Sequence, residues 1–338
     1  MSYPGAMESK FTFIDLFAGI GGMRIPFDEL GGACLLTSEI DPSARLTYSV
    51  NFGHKNPNSH RLDTDITKLS GDSVPGHDLL LAGFPCQPFS HAGHRLGFED
   101  MRGTLFFDIM RLLETLNARS KEASLAPKVI ILENVKGLKS HDKGRTLSRI
   151  REELEKLYFI TEVVLDARNF GLPQSRLRLF LIGIRRDIEG AETFQDNFLE
   201  SIALKTTSSM PTKVSSILES PVDERYRISD RIWDSHRARK LKHLERGNGW
   251  GYRLVTPNSS HTATLSARYY KDGSEILIED KVGQNPRKLT PAEAAALQGF
   301  PKEFQIPVSD TQAYRQFGNA VPVTVVRFIA TAVIKYLT

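Results

Sequence analysis

Cys86 stands between two prolines in the segment GFPCQPFS (residues 83–90), in a chain with only one other cysteine, Cys34. An unperturbed thiol has a pKa near ~8.5, so a nucleophilic Cys86 needs cationic or hydrogen-bonding neighbours to become a thiolate. Prolines at 85 and 88 fix φ locally and narrow the positions open to that thiol. Two other groups could supply its surroundings. Glu133-Asn134 directly follows the apolar run KVIIL, and QSRLR (174–178) puts Arg176 and Arg178 on one face of an extended chain. Two arginines so arranged, leading into an apolar strand, call for an anion or an acceptor-rich ligand. Cys34, inside an apolar run, reads as a small buried hydrophobe.

A second chemical signal comes first in the chain. FIDLFAGIGGMR (13–24) runs an apolar stretch straight into Gly19, Gly21 and Gly22, where glycine allows a sharp turn and close approach to a ligand. Glu39 follows Gly22 by 17 residues, where an acidic side chain can accept both hydroxyls of a ribose. Asp65 and Ile66 come near the expected end of a third strand; the Asp can accept from an adenine amino group while the Ile covers the ring. The loop is not GxxxxGK[ST], which argues against a nucleoside triphosphate and for another nucleoside cofactor. No CxxC or HExxH spacing supports a metal, and His91 and His94 lack further ligands.

These groups must be held by elements, and the apolar period changes accordingly. Strand-like and helix-like runs alternate over the first 185 residues, which predicts an α/β fold with a doubly wound, mostly parallel sheet. Strands are expected at residues 10–17, 33–38, 77–82 and 128–132, with a strand pair at 161–165 and 177–184. Leu105, Phe106, Ile109, Leu112, Leu113 and Leu116 recur at helical spacing. Cys86 and Glu133 then both fall at carboxyl ends of strands, the edge where such sheets bind ligands. From about Arg185 the pattern loosens, and residues 205–216 have linker composition. Thr290-Pro291-Ala292-Glu293 opens a capped helix, and an apolar helix ends the chain.

The chain of 338 residues is 40% hydrophobic and 25% charged, enough for a large core, and its net charge is +4. That charge is concentrated: residues 222–253 carry nine Lys or Arg against five Asp or Glu, an excess of four. Aromatic and glycine residues interleave with it, in GNGWGYR (247–253) and beyond it in ARYYKDG (267–273), as expected of a surface for phosphate and base contact. No apolar run approaches the ~18 residues that span a bilayer, and the start lacks the order of a signal peptide. A cytoplasmic protein is expected.

Taken in order, FIDLFAGIGG, GFPCQPFS, RGTLFFDIMR, ENVKG, QSRLR, LQGFP and QFGNAVPV resemble the motifs of the cytosine-C5 DNA methyltransferases, in particular the compact bacterial enzymes. The resemblance covers almost the whole chain except roughly residues 185–247. It implies a catalytic domain of 1–207 plus 319–338, a smaller irregular target-recognition domain of 208–290, and a hinge of 291–318 returning to the catalytic domain. It implies S-adenosyl-L-methionine as methyl donor and a flipped-out cytosine in double-stranded DNA as acceptor. Cys86 would add to C6 of the ring, Glu133 would contact N3 and the exocyclic amine, Arg178 would contact O2, and Arg176 would lie near the sulfur. Phe17, Gly19, Gly21 and Gly22 would surround the methionine part of the donor, Glu39 and Ile40 the ribose side, and Asp65 and Ile66 the adenine. Leu105, Asn319 and Val321 would complete that site, the last two by packing the final segment against the first strand.

Gln87 and Ser90 would support the flipped base, and Arg237, Arg239, Arg246, Tyr252, Arg268 and Tyr269 would meet DNA. The stretch LSARYYKDGSEILI resembles that of members modifying sites that begin CC, such as CCGG or CCWGG. A monomer, with a restriction endonuclease sharing its site, fits the family. Other readings fare worse. An RNA C5-methyltransferase would lack a full recognition segment, and an inactive DNA-binding regulator would not keep the Cys, Glu and Arg pair. An amino-methylating enzyme would need a DPPY or NPPY motif, and a thiol hydrolase a recognisable histidine base.

Overall fold

Strand β1 (Phe11–Leu16) is followed by α1 (Ile25–Glu29), β2 (Gly32–Ser38), α2 (Pro42–Phe52), β3 (Arg61–Asp63) and β4 (Leu79–Gly83). Then come α3 (Leu105–Ala118), β5 (Val129–Val135), α4 (Arg145–Leu154), β6 (Tyr158–Asp166), β7 (Leu177–Arg185) and α5 (Phe194–Thr207). The last part holds α6 (Asp230–Glu245), β8 (Leu254–Val255), β9 (Leu277–Ile278), α7 (Pro291–Leu297), α8 (Asp310–Asn319) and α9 (Val323–Val333). The computed structural model describes residues 9–56, 60–63, 65–85, 105–119, 125–207, 212–249 and 251–338.

The seven-stranded sheet has the order β3-β2-β1-β4-β5-β7-β6. Strands β1 to β5 pair in parallel, while β7 runs antiparallel to both β5 and β6. The fold is the doubly wound, mostly parallel sheet that the alternation predicts. Its strands are apolar at consecutive positions because both faces are covered, and successive side chains enter opposite cores. Phe13, Leu81, Ile131 and Ile182 join one core with Phe27 of α1, Phe198 of α5 and Val326 of α9. Leu80, Ile130 and Leu181 join the other with Ile109 of α3 and Ile150 of α4.

Several expectations shift in detail. Glu133 and Asn134 belong to β5 itself, whose pairing with β7 continues to Val135↔Arg178. The region after Arg185 contains α5, whose Phe194 and Phe198 reach the sheet core while most of its other residues stay exposed or half-buried, so its apolar pattern is sparse. A third core joins Tyr48 and Phe52 of α2 to Leu265, Tyr269, Leu289, Leu297 and Phe317. Residues from the expected recognition region and from α7 and α8 therefore share one packed interior. The capping box is present: Glu293 N–H donates to Thr290 Oγ1 at 3.1 Å, and Thr290 N–H donates to Glu293 Oε2 at 2.9 Å. One stretch, Asp310–Tyr336, does reach the length and hydropathy of a membrane span, contrary to the sequence reading. Residues 320–322 break it between α8 and α9, and α9 packs Val325, Val326 and Val333 into the sheet core.

Candidate active site

Strand order reverses between β1 and β4, and at such a switch point the loops leaving the two strands part to open a crevice. A cavity of about 380 Å³ lies there, lined from β1, β2, β4, β5, β7 and the α8–α9 junction. The loop after β1 is shaped by left-handed backbone at Phe17 (φ 55°), Gly19 (55°) and Gly21 (81°). For Phe17 that conformation stores strain, which the surrounding structure must hold. A Cβ on Gly21 would sit 2.3 Å from the Phe52 ring, and one on Gly22 would meet the Val321 carbonyl at 3.0 Å. Nothing lies within 4 Å of where a Gly19 Cβ would be, so there the loop leaves room.

Glu39 ties that loop to the next helix. Its Oε2 accepts from Gly19 N–H and its Oε1 from Asp41 N–H, both at 2.7 Å. Each oxygen keeps a second lone pair for a ligand hydroxyl. Asp41 in turn caps α2 by accepting from Ser43 and Ala44 N–H. Ile40, beside it, is 70% exposed at the cavity, an uncovered apolar face suited to a flat ring. Asn319 and Val321 line the opposite wall.

Not every expected cofactor residue lines this cavity. Gly21 shapes the turn from outside it. Asp65 directs its carboxylate to the N–H and hydroxyl of Thr67, capping the turn Ile66–Lys68. Ile66 is buried, and Leu105 and Phe17 pack on the same core. Arg111 of α3 joins these parts by donating to the Ile66 and Leu69 carbonyls at 2.9 and 2.7 Å.

At the other end of the cavity Glu133 Oε1 faces Arg178 Nε at 2.9 Å, on neighbouring strands. Burial pushes the Glu133 carboxyl above its ordinary pKa, with Arg178 and then Arg176 opposing. Such a group is suited to hold and deliver a proton. Burial also lowers Arg178, against Glu133, yet a guanidinium keeps its charge in a protein. Cys86, Gln87 and Ser90 lie outside the described residues. The root of their segment is fixed: Gly83 pairs with Glu133, and Asn134 Nδ2 donates to the Phe84 carbonyl at 3.0 Å.

Arg176 is held by backbone carbonyls; the sulfur it was expected to lie near, that of Cys86, is outside the described residues. Only 1% exposed, it donates from Nη1 to Leu265 O at 2.8 Å and from Nη2 to Gly318 O and Ala320 O at 2.9 and 2.7 Å. Its Nε has no hydrogen-bond partner among the described residues. Burial and then Arg178 press against its charge, and Glu133 supports it.

The sequence matches the C-5 cytosine-specific DNA methylase family over residues 11–335. The chain belongs to that family. Among its relatives, the Type II methyltransferase M.DsaV of Dactylococcopsis salina is 52% identical over 335 residues, covering 98% of this chain and 88% of the relative. The Type II methyltransferase M.HpaII of Haemophilus parainfluenzae is 37% identical over 354 residues, covering 98% and 91%. A crystal structure of S. pombe Dnmt2 methyltransferase superposes with a TM-score of 0.75 at 21% identity, covering 96% of this chain and 98% of that one, which supports the fold. As a member of this family the protein is a DNA cytosine methyltransferase, and the fold fits a nucleoside-type methyl donor.

In this methylase the expected DNA-facing residues divide. Arg237, Arg239 and Arg246 are exposed on or just after α6, whose one buried residue is His236. Arg237 pairs with Asp234 and stacks over Trp233; Arg239 pairs with Asp272 at 2.9 Å. Tyr252 lies edge-on to Trp233, with the Lys240 ammonium 4.3 Å from its ring centre. Arg268 is exposed. Tyr269 is a correction: it is 0% exposed, donates to Ile276 O and accepts from Leu289 N–H, so it is a core residue with no surface for DNA.

Some residues of the methylase site escaped the sequence reading. Asp15 is a buried carboxylate lining the cavity, pushed up to about 7 by burial, with Arg24 opposing. A lone acid inside an apolar strand was its signal. Gln312, Arg315 and Gln316 of α8 also line the cavity; their one-face spacing in QAYRQFGN was visible and not used.

Proposed function

We propose that this methylase transfers the methyl group of S-adenosyl-L-methionine to C5 of a cytosine rotated out of duplex DNA. The donor supplies an electrophilic methyl group. Cytosine C5 is a weak nucleophile, so the Cys86 thiolate first adds to C6 while Glu133 gives a proton to N3, which makes C5 enamine-like. Arg178 holds O2 of the ring and keeps Glu133 in place; Arg176 braces the strand that carries Arg178. After transfer, loss of the C5 proton to water lets the thiolate leave. Gln87 and Ser90 support the extruded base, whose unstacking costs a few kcal/mol.

Glu39 and Ile40 receive the ribose side of the donor, Gly19 and Gly22 with Phe17 the methionine side, and Asn319 and Val321 the far wall. Asp65, Ile66 and Leu105 back the adenine end, and Gly21 keeps the loop in shape. Residues 1–207 with 319–338 form the catalytic domain, 208–290 the recognition domain and 291–318 the hinge. Arg237, Arg239, Arg246, Tyr252 and Arg268 meet double-stranded DNA at a short palindromic site, CC-containing as in CCGG or CCWGG. The relatives called Type II methyltransferases support a restriction endonuclease sharing that site, with the enzyme itself a cytoplasmic monomer.

One observation carries this reading: a buried carboxyl held by an arginine opens onto a nucleoside-sized cavity beside the fixed root of the cysteine segment. The test is incubation with S-adenosyl-L-methionine and a plasmid library, followed by sequencing that distinguishes 5-methylcytosine. Methylation in one short motif is expected, and Cys86→Ser should abolish it while donor binding persists. Transfer to an RNA pool instead of DNA would move the reading to an RNA enzyme.

A further inference from the structure

Arg176 gathers carbonyls from two distant parts of the chain. Leu265 belongs to the segment leading into Arg268, and Gly318 and Ala320 line the donor cavity. The same seam is stitched elsewhere. Thr262 N–H donates to Pro173 O at 2.8 Å, Ser175 N–H to Thr262 O at 3.0 Å, and Leu265 N–H to Gln174 Oε1 at 2.9 Å. Thr264 Oγ1 donates to Ser175 O. The two partner segments also touch each other: a Cβ on Gly318 would lie 2.3 Å from the Ser266 carbonyl carbon and 2.4 Å from Ala267 N. No side chain separates the two backbones.

We propose that Arg176 is a positioning residue that couples the segment 262–268 to the cavity wall 318–321, so that seating DNA on one favours donor binding on the other. This rests on the function proposed above. The physical argument is that a buried guanidinium cannot release one carbonyl without leaving a donor and an acceptor unpaired out of water, which is costly. The three carbonyls therefore move together as one seam. A ligand bound to either flank biases both, and the linkage is reciprocal.

The experiment measures the Kd of S-adenosyl-L-methionine by calorimetry on the full chain, without and with a duplex carrying the motif found by sequencing. The readout is the ratio of the two constants. A merely loosened fold weakens both and leaves the ratio alone. Wild type is expected to give a ratio within the range of about 5–150 usual for coupled sites. Arg176→Lys, which can reach only part of the carbonyl set, should bring it toward one, and Thr264→Val should lower it without touching the guanidinium. A wild-type ratio near one, or an unchanged ratio in the variants, overturns the coupling. If Arg176→Lys does not fold, Thr264→Val decides. Donor binding and methylation that are both absent in wild type would sink the functional reading first, and the coupling with it.

Discussion

Glu133 and Asp15 are both buried carboxyls on the sheet edge, and their partners give them different work. Glu133 meets Arg178 at 2.9 Å, while Asp15 accepts from the Tyr48 hydroxyl at 3.4 Å. Glu133→Gln keeps the shape and removes the titratable proton, so kcat should fall by ~10²–10⁴ while donor affinity stays; steady-state rates beside donor titrations check this, and a kcat near wild type would remove the acid role. Asp15 is raised from 3.8 to about 7, so its protonated form favours the fold. That stabilisation is complete below about pH 4 and is lost as pH rises to about 7, a loss of up to ~4 kcal/mol. Asp15→Asn should flatten the stability profile across that window in denaturant titrations at several pH values. Parallel profiles would contradict it. At this scale the sequence was most legible where residue type and strand end coincide, as at Glu133 and Arg178. It singled out Arg176 but not how that side chain is held, because what holds it is three carbonyls between 89 and 144 residues away.

The loop after β1 needs glycine at 21 for two reasons at once, a φ of 81° and the Phe52 ring. Gly21→Ala should therefore cost more than the ~1–3 kcal/mol of backbone strain alone and weaken donor binding. Gly53, with open space at its Cβ and a φ of −54°, is the control: Gly53→Ala should be neutral or slightly stabilising. Melting curves and donor Kd values for the pair test this, and equal effects would refute it. The strands around this loop were readable because each is an unbroken apolar run. Helix α6 was not, since it buries only His236 and offers no apolar stripe to set its period. Tyr269 was misread for a related cause: its sequence neighbours are polar, and the core that buries it comes from Leu289 and Tyr314.

Across the molecule, a buried ion cluster fastens residues 280–293. Arg287 forms a two-pronged pair with Glu293 at 2.7 and 2.8 Å and meets Asp280 at 2.6 Å; the pair's side chains are 2% and 0% exposed. Removing one member leaves a charge out of water, so Arg287→Met should cost about 3–5 kcal/mol, read by chemical denaturation. A loss under about 1 kcal/mol would mean that water reaches Glu293. Composition marks the linker-like stretch at 205–216, but it does not show that Val214 and Ile217 pack in one core with Phe52 and Phe317. Long-range closure of this kind leaves no local pattern. It also sets an order in time. Val321, Val326 and Tyr336 complete the core that begins at Phe11 and Phe13, and Arg327 pairs with Glu29. A ribosome makes these residues long after β1, so the first strand keeps one face uncovered while the intervening chain is being made. One wall of the cavity arrives with them, at Asn319 and Val321, and a nascent chain has no closed crevice before α8 and α9 have emerged.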